Sequence, residues 1–169
     1  MTAFSTFDLM LSRHWIQKAG EATLPALVDA LKTEHRVCFT GQATKLLSRR
    51  AYGTSYPAGD FVVLSFPAHV NILFALRDLN FHAQALDYRR PSILESLAVI
   101  RKVAAAGELP EKLLICHEPV YMYVGDRQVS RRCCLLVVKN GDWYLVKAVR
   151  SHATNLFDGK HAFLVLRAG

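Results

Sequence analysis

The chain has 169 residues, of which 51% are hydrophobic and 21% charged, and its formal net charge is +7. One ordinary domain around one buried core fits these figures; a disordered chain, a collagen-like chain and a disulfide-built miniprotein do not. The charge is uneven: residues 125–169 hold 8 basic and 3 acidic side chains against 13 and 11 in residues 1–124, so a polyanion would be drawn to the last quarter.

The first portion, residues 1–59, reads as mostly helical. Phe4, Phe7, Leu11 and Trp15 recur at steps of three or four and make one apolar helix face. Leu24, Leu27, Val28 and Leu31 repeat the pattern, with Thr23 as N-cap and Pro25 just inside the helix. A short helix is expected from Gln42 to Arg50, then a loop from Tyr52 to Asp60. A strand follows from Phe61 to Phe66, and Pro67 opens a helix faced by Val70, Leu73, Phe74 and Phe81. Pro91 and Ser92 start another, with Ile93, Leu97, Ile100 and Ala104 as its buried stripe and Gly107 as C-cap.

The period then changes from helix to strand. Lys112–Cys116 and Val120–Val124 read as two short strands, Gly125-Asp126 as a turn and Arg131–Lys139 as a strand. Asn140-Gly141-Asp142 joins that strand to Trp143–Val149 in a hairpin, and His161–Leu166 is the last strand. The expectation is one α+β domain over 1–169, its N-terminal helices packed on a C-terminal antiparallel β-meander of four to five strands.

Several enzyme classes drop out. There is no P-loop, no dinucleotide-binding glycine motif, no H-E-x-x-H and no G-x-S-x-G. The acidic residues are scattered, against a two-metal nuclease. Cys38, Cys116, Cys133 and Cys134 form no C-x-x-C pair and read as reduced, small hydrophobes. No metal site and no cofactor are expected. No apolar run is long enough for a membrane helix. Residues 1–20 lack the basic-then-apolar order of a signal peptide. A cytoplasmic location is therefore expected, and a toxin delivered into a target cell by a specialised secretion system would share these features.

Metal-free acid–base chemistry survives these exclusions. The segment Lys147-Ala148-Val149-Arg150-Ser151-His152 gathers a cation, a hydroxyl and an imidazole near one strand end. Cleavage of RNA needs a base for the 2′-OH, an acid for the leaving 5′-oxygen and a cation for the phosphorane. His69, in the first turn after Pro67, would be held neutral by the helix dipole and so fit to act as a base. His117, beside Glu118 and Pro119, reads as a turn residue. The pairs Arg89-Arg90 and Arg131-Arg132, with Lys147 and Tyr144, are candidates for contacts to nucleic acid, since cations interleaved with aromatics suit a single strand.

The order of these elements resembles the barnase–EndoU–colicin–RelE superfamily of metal-independent RNases, in its phage-encoded and polymorphic-toxin members. The resembling stretch covers about residues 60–155, through strand Phe61–Phe66, Pro67-Ala68-His69-Val70, helix Ile93–Ala106, "RRCCLLVVKN" and "WYLVKAVRSH". The resemblance implies a helix packed on an antiparallel sheet and an RNA substrate. It makes His69 an acid or base, and gives Arg150, Ser151 and His152 the phosphate contacts or the second proton transfer. Beside nucleic acid, with RNA favoured, the candidate partners are a cognate inhibitor or a host protein. Two other readings fit the same residues: a non-catalytic nucleic-acid-binding module, and a phage or effector protein that binds and inhibits a host protein.

Overall fold

The structure is a computed structural model that describes residues 10–16, 23–48, 56, 58–65, 70–71, 88–123, 130–150, 156–157 and 161–167. It is an α+β fold. In chain order the described elements are β1 (Met10–Ile16), α1 (Leu24–His35), β2 (Val37–Phe39), α2 (Gly41–Ser48), β3 (Gly59–Ser65), β4 (Val70–Asn71), β5 (Tyr88–Arg89), α3 (Ile93–Ala105), β6 (Lys112–Tyr123), β7 (Ser130–Asn140), β8 (Trp143–Arg150), β9 (Leu156–Phe157) and β10 (His161–Arg167). No helix among the described residues is long and apolar enough to cross a membrane.

The local signals act as the physics of caps and turns requires. Thr23 Oγ1 accepts from the Ala26 amide at 3.3 Å and opens α1, with Pro25 in its first turn. α1 closes on Arg36 in the left-handed region, φ 53°, a conformation that costs a residue with a Cβ about 1–2 kcal/mol. There the Arg36 guanidinium meets Asp142 at 2.8 Å and its carbonyl accepts from the Tyr144 amide. Ser92 and Glu95 cap α3 reciprocally, each side chain taking the other's amide. The β7–β8 hairpin turns on Gly141-Asp142, with Asn140 and Trp143 as the closing pair. Gly141 alone has positive φ there, at +65°, which matches a type II′ turn, glycine first, rather than an Asn-Gly turn.

One eight-stranded sheet dominates. Its order is β1-β3-β10-β6-β7-β8-β2, with β5 also on β10, and β4 and β9 make a separate pair. The meander foreseen from the sequence is β6-β7-β8, three antiparallel strands. The sheet extends beyond it as a mixed sheet: β10 runs parallel to β6, and β2 parallel to β8. Neither pairing joins consecutive elements, so no turn motif announces them.

Two helix expectations are corrected. Residues 10–16 form an edge strand on β3, not part of a helix. Leu11 and Trp15 are four apart, and a step of four keeps one face in a strand as well as in a helix; pairing with β3 decides between them. Val70, expected on a helix face after Pro67, lies in β4 opposite Phe157. Phe4, Phe7, Leu73, Phe74, Phe81 and the Gly125-Asp126 turn lie outside the described residues. The two strands expected at Lys112–Cys116 and Val120–Val124 are one strand, β6, with a bulge between them.

The three described helices cover one face of the sheet. Leu27, Leu31, Leu46, Leu97, Ile100 and Val103 pack on Phe61, Val63, Leu113, Ile115, Leu135, Val137 and Val146. Alternation along the strands turns the intervening residues to the other face.

Candidate functional site

The bulge in β6 organises the site. Leu164, Ile115, Leu135 and Ala148 form one row across β10, β6, β7 and β8. One step further along, four residues of β6 (Cys116, His117, Glu118 and Pro119) face the single residue Cys134, and pairing resumes at Val120↔Cys133. The β10 edge that β6 leaves is taken by β5, with Arg89 opposite Leu166. Pro119 removes an amide at the point where the ladder is already interrupted, which is where a strand tolerates proline.

The bulge is bonded to the start of α3, where the Glu118 amide donates to the Pro91 carbonyl at 2.9 Å. Arg89 reaches over the same helix end and grips Glu95 in a fork, Nη2 to Oε1 at 2.7 Å and Nη1 to Oε2 at 2.9 Å. Glu95 is buried, with its side chain 5% exposed, so the fork and the Ser92 amide together compensate an otherwise costly charge. The hydrogen bond that Arg89 donates to Glu95 raises the Arg89 pKa above its ordinary value.

His117 lies inside the bulge, 2% exposed. Its Nδ1 sits 2.7 Å from the Glu118 carbonyl oxygen. A carbonyl only accepts, so Nδ1 carries the proton and Nε2 keeps a bare lone pair. Nε2 is buried and has no hydrogen-bond partner among the described residues. Burial first, and then the nearby positive charge of Arg90, lower the His117 pKa to about 4, against the Glu118 bond that raises it. His117 is thus a neutral, oriented imidazole, not the turn residue its neighbours suggested. The His-Glu-Pro interruption between two apolar runs was the signal for the bulge. Nothing in it announced burial, because that comes from α3 and β5.

The other sequence candidates divide by place. Arg150 pairs with Cys133, and Arg132 and Arg131 follow opposite Tyr121 and Met122, so register brings these three backbone positions to the bulged end of the β7–β8 hairpin. Arg89 and Arg90 belong to the same end of the sheet through β5 and Pro91. Arg89 is committed to Glu95, whereas Arg90 is half-buried beside His117. Lys147 is exposed on β8 opposite Leu136. Tyr144 stands apart: it is six residues from Arg150, about 20 Å along the strand, half-buried against the core, with its hydroxyl 3.4 Å from the Leu109 carbonyl. His69, Ser151 and His152 lie outside the described residues. The dipole argument for His69 falls with the helix, since the next residue, Val70, is in a strand.

Among the described residues no three His, Cys, Asp or Glu side chains are grouped to hold a metal ion. No protein-family model, curated protein or solved structure matches the chain.

Proposed function

We propose that this protein cleaves RNA without a metal, with the substrate's phosphates held at the bulged end of the sheet. The observation that carries the reading is the pairing of β4 with β9. Val70 stands opposite Phe157 and Asn71 opposite Leu156. His69 directly precedes Val70, and His152 lies four residues before Leu156. The ladder therefore joins the described strands that follow His69 by one residue and His152 by four, although the two strands are far apart in sequence. Five residues, from His152 to Phe157, reach at most about 18 Å.

The chemistry asks for three things. One imidazole takes the 2′-OH proton, the other protonates the leaving 5′-oxygen, and cations stabilise the charge that builds on phosphorus. His69 and His152 supply the first two in this reading. Arg150 and Ser151 contact the phosphate, and Arg131 and Arg132 add two cations on β7, opposite Met122 and Tyr121.

The test is incubation of purified protein with total RNA and with tRNA in EDTA, beside a His69→Ala, His152→Ala variant whose folding is checked by circular dichroism. Cleavage by the wild type alone, leaving cyclic-phosphate ends, is the expected result. Cleavage by both proteins would remove the two histidines from the mechanism, and cleavage by neither would overturn the proposal.

A further inference from the structure

The face of the sheet away from the helices is closed at one side and open at the other. Near β6, Leu114 is buried on this face, and near the bulge so is Cys134. Toward the β8 and β2 edge the cover ends. Leu136, Val138, Leu145 and Val149 are only half-buried, Trp143 is half-exposed at the hairpin, and Lys147 and Cys38 are exposed. Registers place these residues in rows: Cys38, Leu145, Val138 and Lys112 in one, and Lys147, Leu136 and Leu114 in the next.

The pattern is an apolar floor with an aromatic and two cations round it. Trp143 and Lys147 are four residues apart on one strand, about 13 Å, and each lies about 12 Å from Lys112 two strands away. Among the described residues, the outward positions from Cys134 to Val149 carry no carboxylate. Asp142 and Glu111 stand at the rim in loops, and Asp142 is held by Arg36 at 2.8 Å.

We infer that this open face is a docking surface for a single-stranded nucleic acid, with a base stacked on Trp143 and phosphates on Lys112 and Lys147. The inference rests on the RNA reading above for its substrate and adds that the strand is unpaired. Charge decides the occupant. An open floor with two lysines round it and no carboxylate at its outward positions from Cys134 to Val149, on a chain of charge +7, attracts a polyanion. The floor and the indole suit exposed base faces, which a duplex keeps stacked inside.

The probe is a fluorescein-labelled, 2′-O-methyl 12-mer that resists cleavage, read by anisotropy as a single strand and as a duplex. Single-strand binding at least tenfold tighter than duplex binding is expected. Trp143→Ala should weaken it about five- to hundredfold. Lys112→Ala with Lys147→Ala should flatten the dependence on salt by about 1.4 in log K against log salt, since each single-strand phosphate contact contributes about 0.7. Lys147→Glu, at an exposed position, gives a folding-neutral check and should also weaken binding. Equal binding of strand and duplex, or unchanged binding by the lysine variants, overturns the inference. So does preference for an acidic amphipathic peptide over the oligonucleotide. Because the probe cannot be cut, strand binding through this face without any RNase activity supports the surface and refutes only the catalytic proposal. RNase activity with face variants that bind like wild type does the reverse.

Discussion

Acidification should destabilise this protein through His117. In the folded chain the imidazole is buried and titrates at about 4, below its ordinary 6.5. Between those values the unfolded chain binds a proton that the folded chain does not, so stability falls as the pH falls. The contribution is complete above about pH 7.5, shrinks as the pH drops through 6.5, and is gone below about pH 4. Each pH unit crossed between the two titration points costs about 1.4 kcal/mol, so the loss reaches about 2 kcal/mol at pH 5 and about 3 kcal/mol at pH 4. That is a large part of the 5–15 kcal/mol typical of a domain. His117→Asn keeps an N–H donor for the Glu118 carbonyl but cannot titrate. Urea unfolding at pH 7.5, 6 and 5 should show the wild type losing about 2 kcal/mol more than the variant over that range. Parallel pH profiles for the two proteins would refute the assignment of a buried, neutral imidazole. Arg90→Gln removes the neighbouring charge and should shrink the wild-type loss.

Other substitutions probe the surrounding geometry. Glu95→Ala removes the Glu95 half of the α3 capping box and the partner of Arg89, and should cost about 3 kcal/mol in denaturant unfolding, at the low end for a broken buried pair because the Arg89 side chain is 38% exposed; a loss under about 1 kcal/mol would show that Arg89 hydrates freely. Arg36→Gly and Arg36→Ala both lose the ion pair to Asp142, but only glycine relaxes the φ of 53°. The glycine variant should be the more stable by about 1 kcal/mol by thermal unfolding, and equal stability would contradict the left-handed cap. At Gly141 an added Cβ meets nothing within 4 Å, so Gly141→Ala should lose about 1–2 kcal/mol from its φ of +65° alone; an unchanged midpoint would mean that the turn is not glycine-first.

What could be read beforehand follows the range of the interactions. α3 and the β7–β8 hairpin are specified by neighbours: Ser92 caps with Glu95 three residues on, and Gly141 turns the chain within a two-residue loop. For β1, Leu11 and Trp15 are compatible with the helix and the strand period alike, and the partner that decides is β3, over forty residues away. The parallel pairings of β2 and β10 have no local signature at all. The candidate site shows the same division. Arg131, Arg132 and Arg150 could be suspected from charge, and register brings their backbones together. The commitment of Arg89 to Glu95 and the burial of His117 depend on β5 meeting β10 and on the bulge meeting Pro91, contacts between distant segments.

The place of β10 has a consequence for how the chain assembles. The last described strand is not at an edge: it lies between β3 and β6, antiparallel to one and parallel to the other. Until residues 161–167 arrive, β1-β3 and β6-β7-β8-β2 are two separate ladders, each with an open hydrogen-bonding edge. A nascent chain on the ribosome therefore carries both halves unjoined until β10 has been made, and its open edges are templates for pairing with other chains. The same topology makes the strand a natural splitting point. A chain cut before His161 should aggregate alone, and a synthetic peptide of the missing segment should rescue it by filling the gap between β3 and β6.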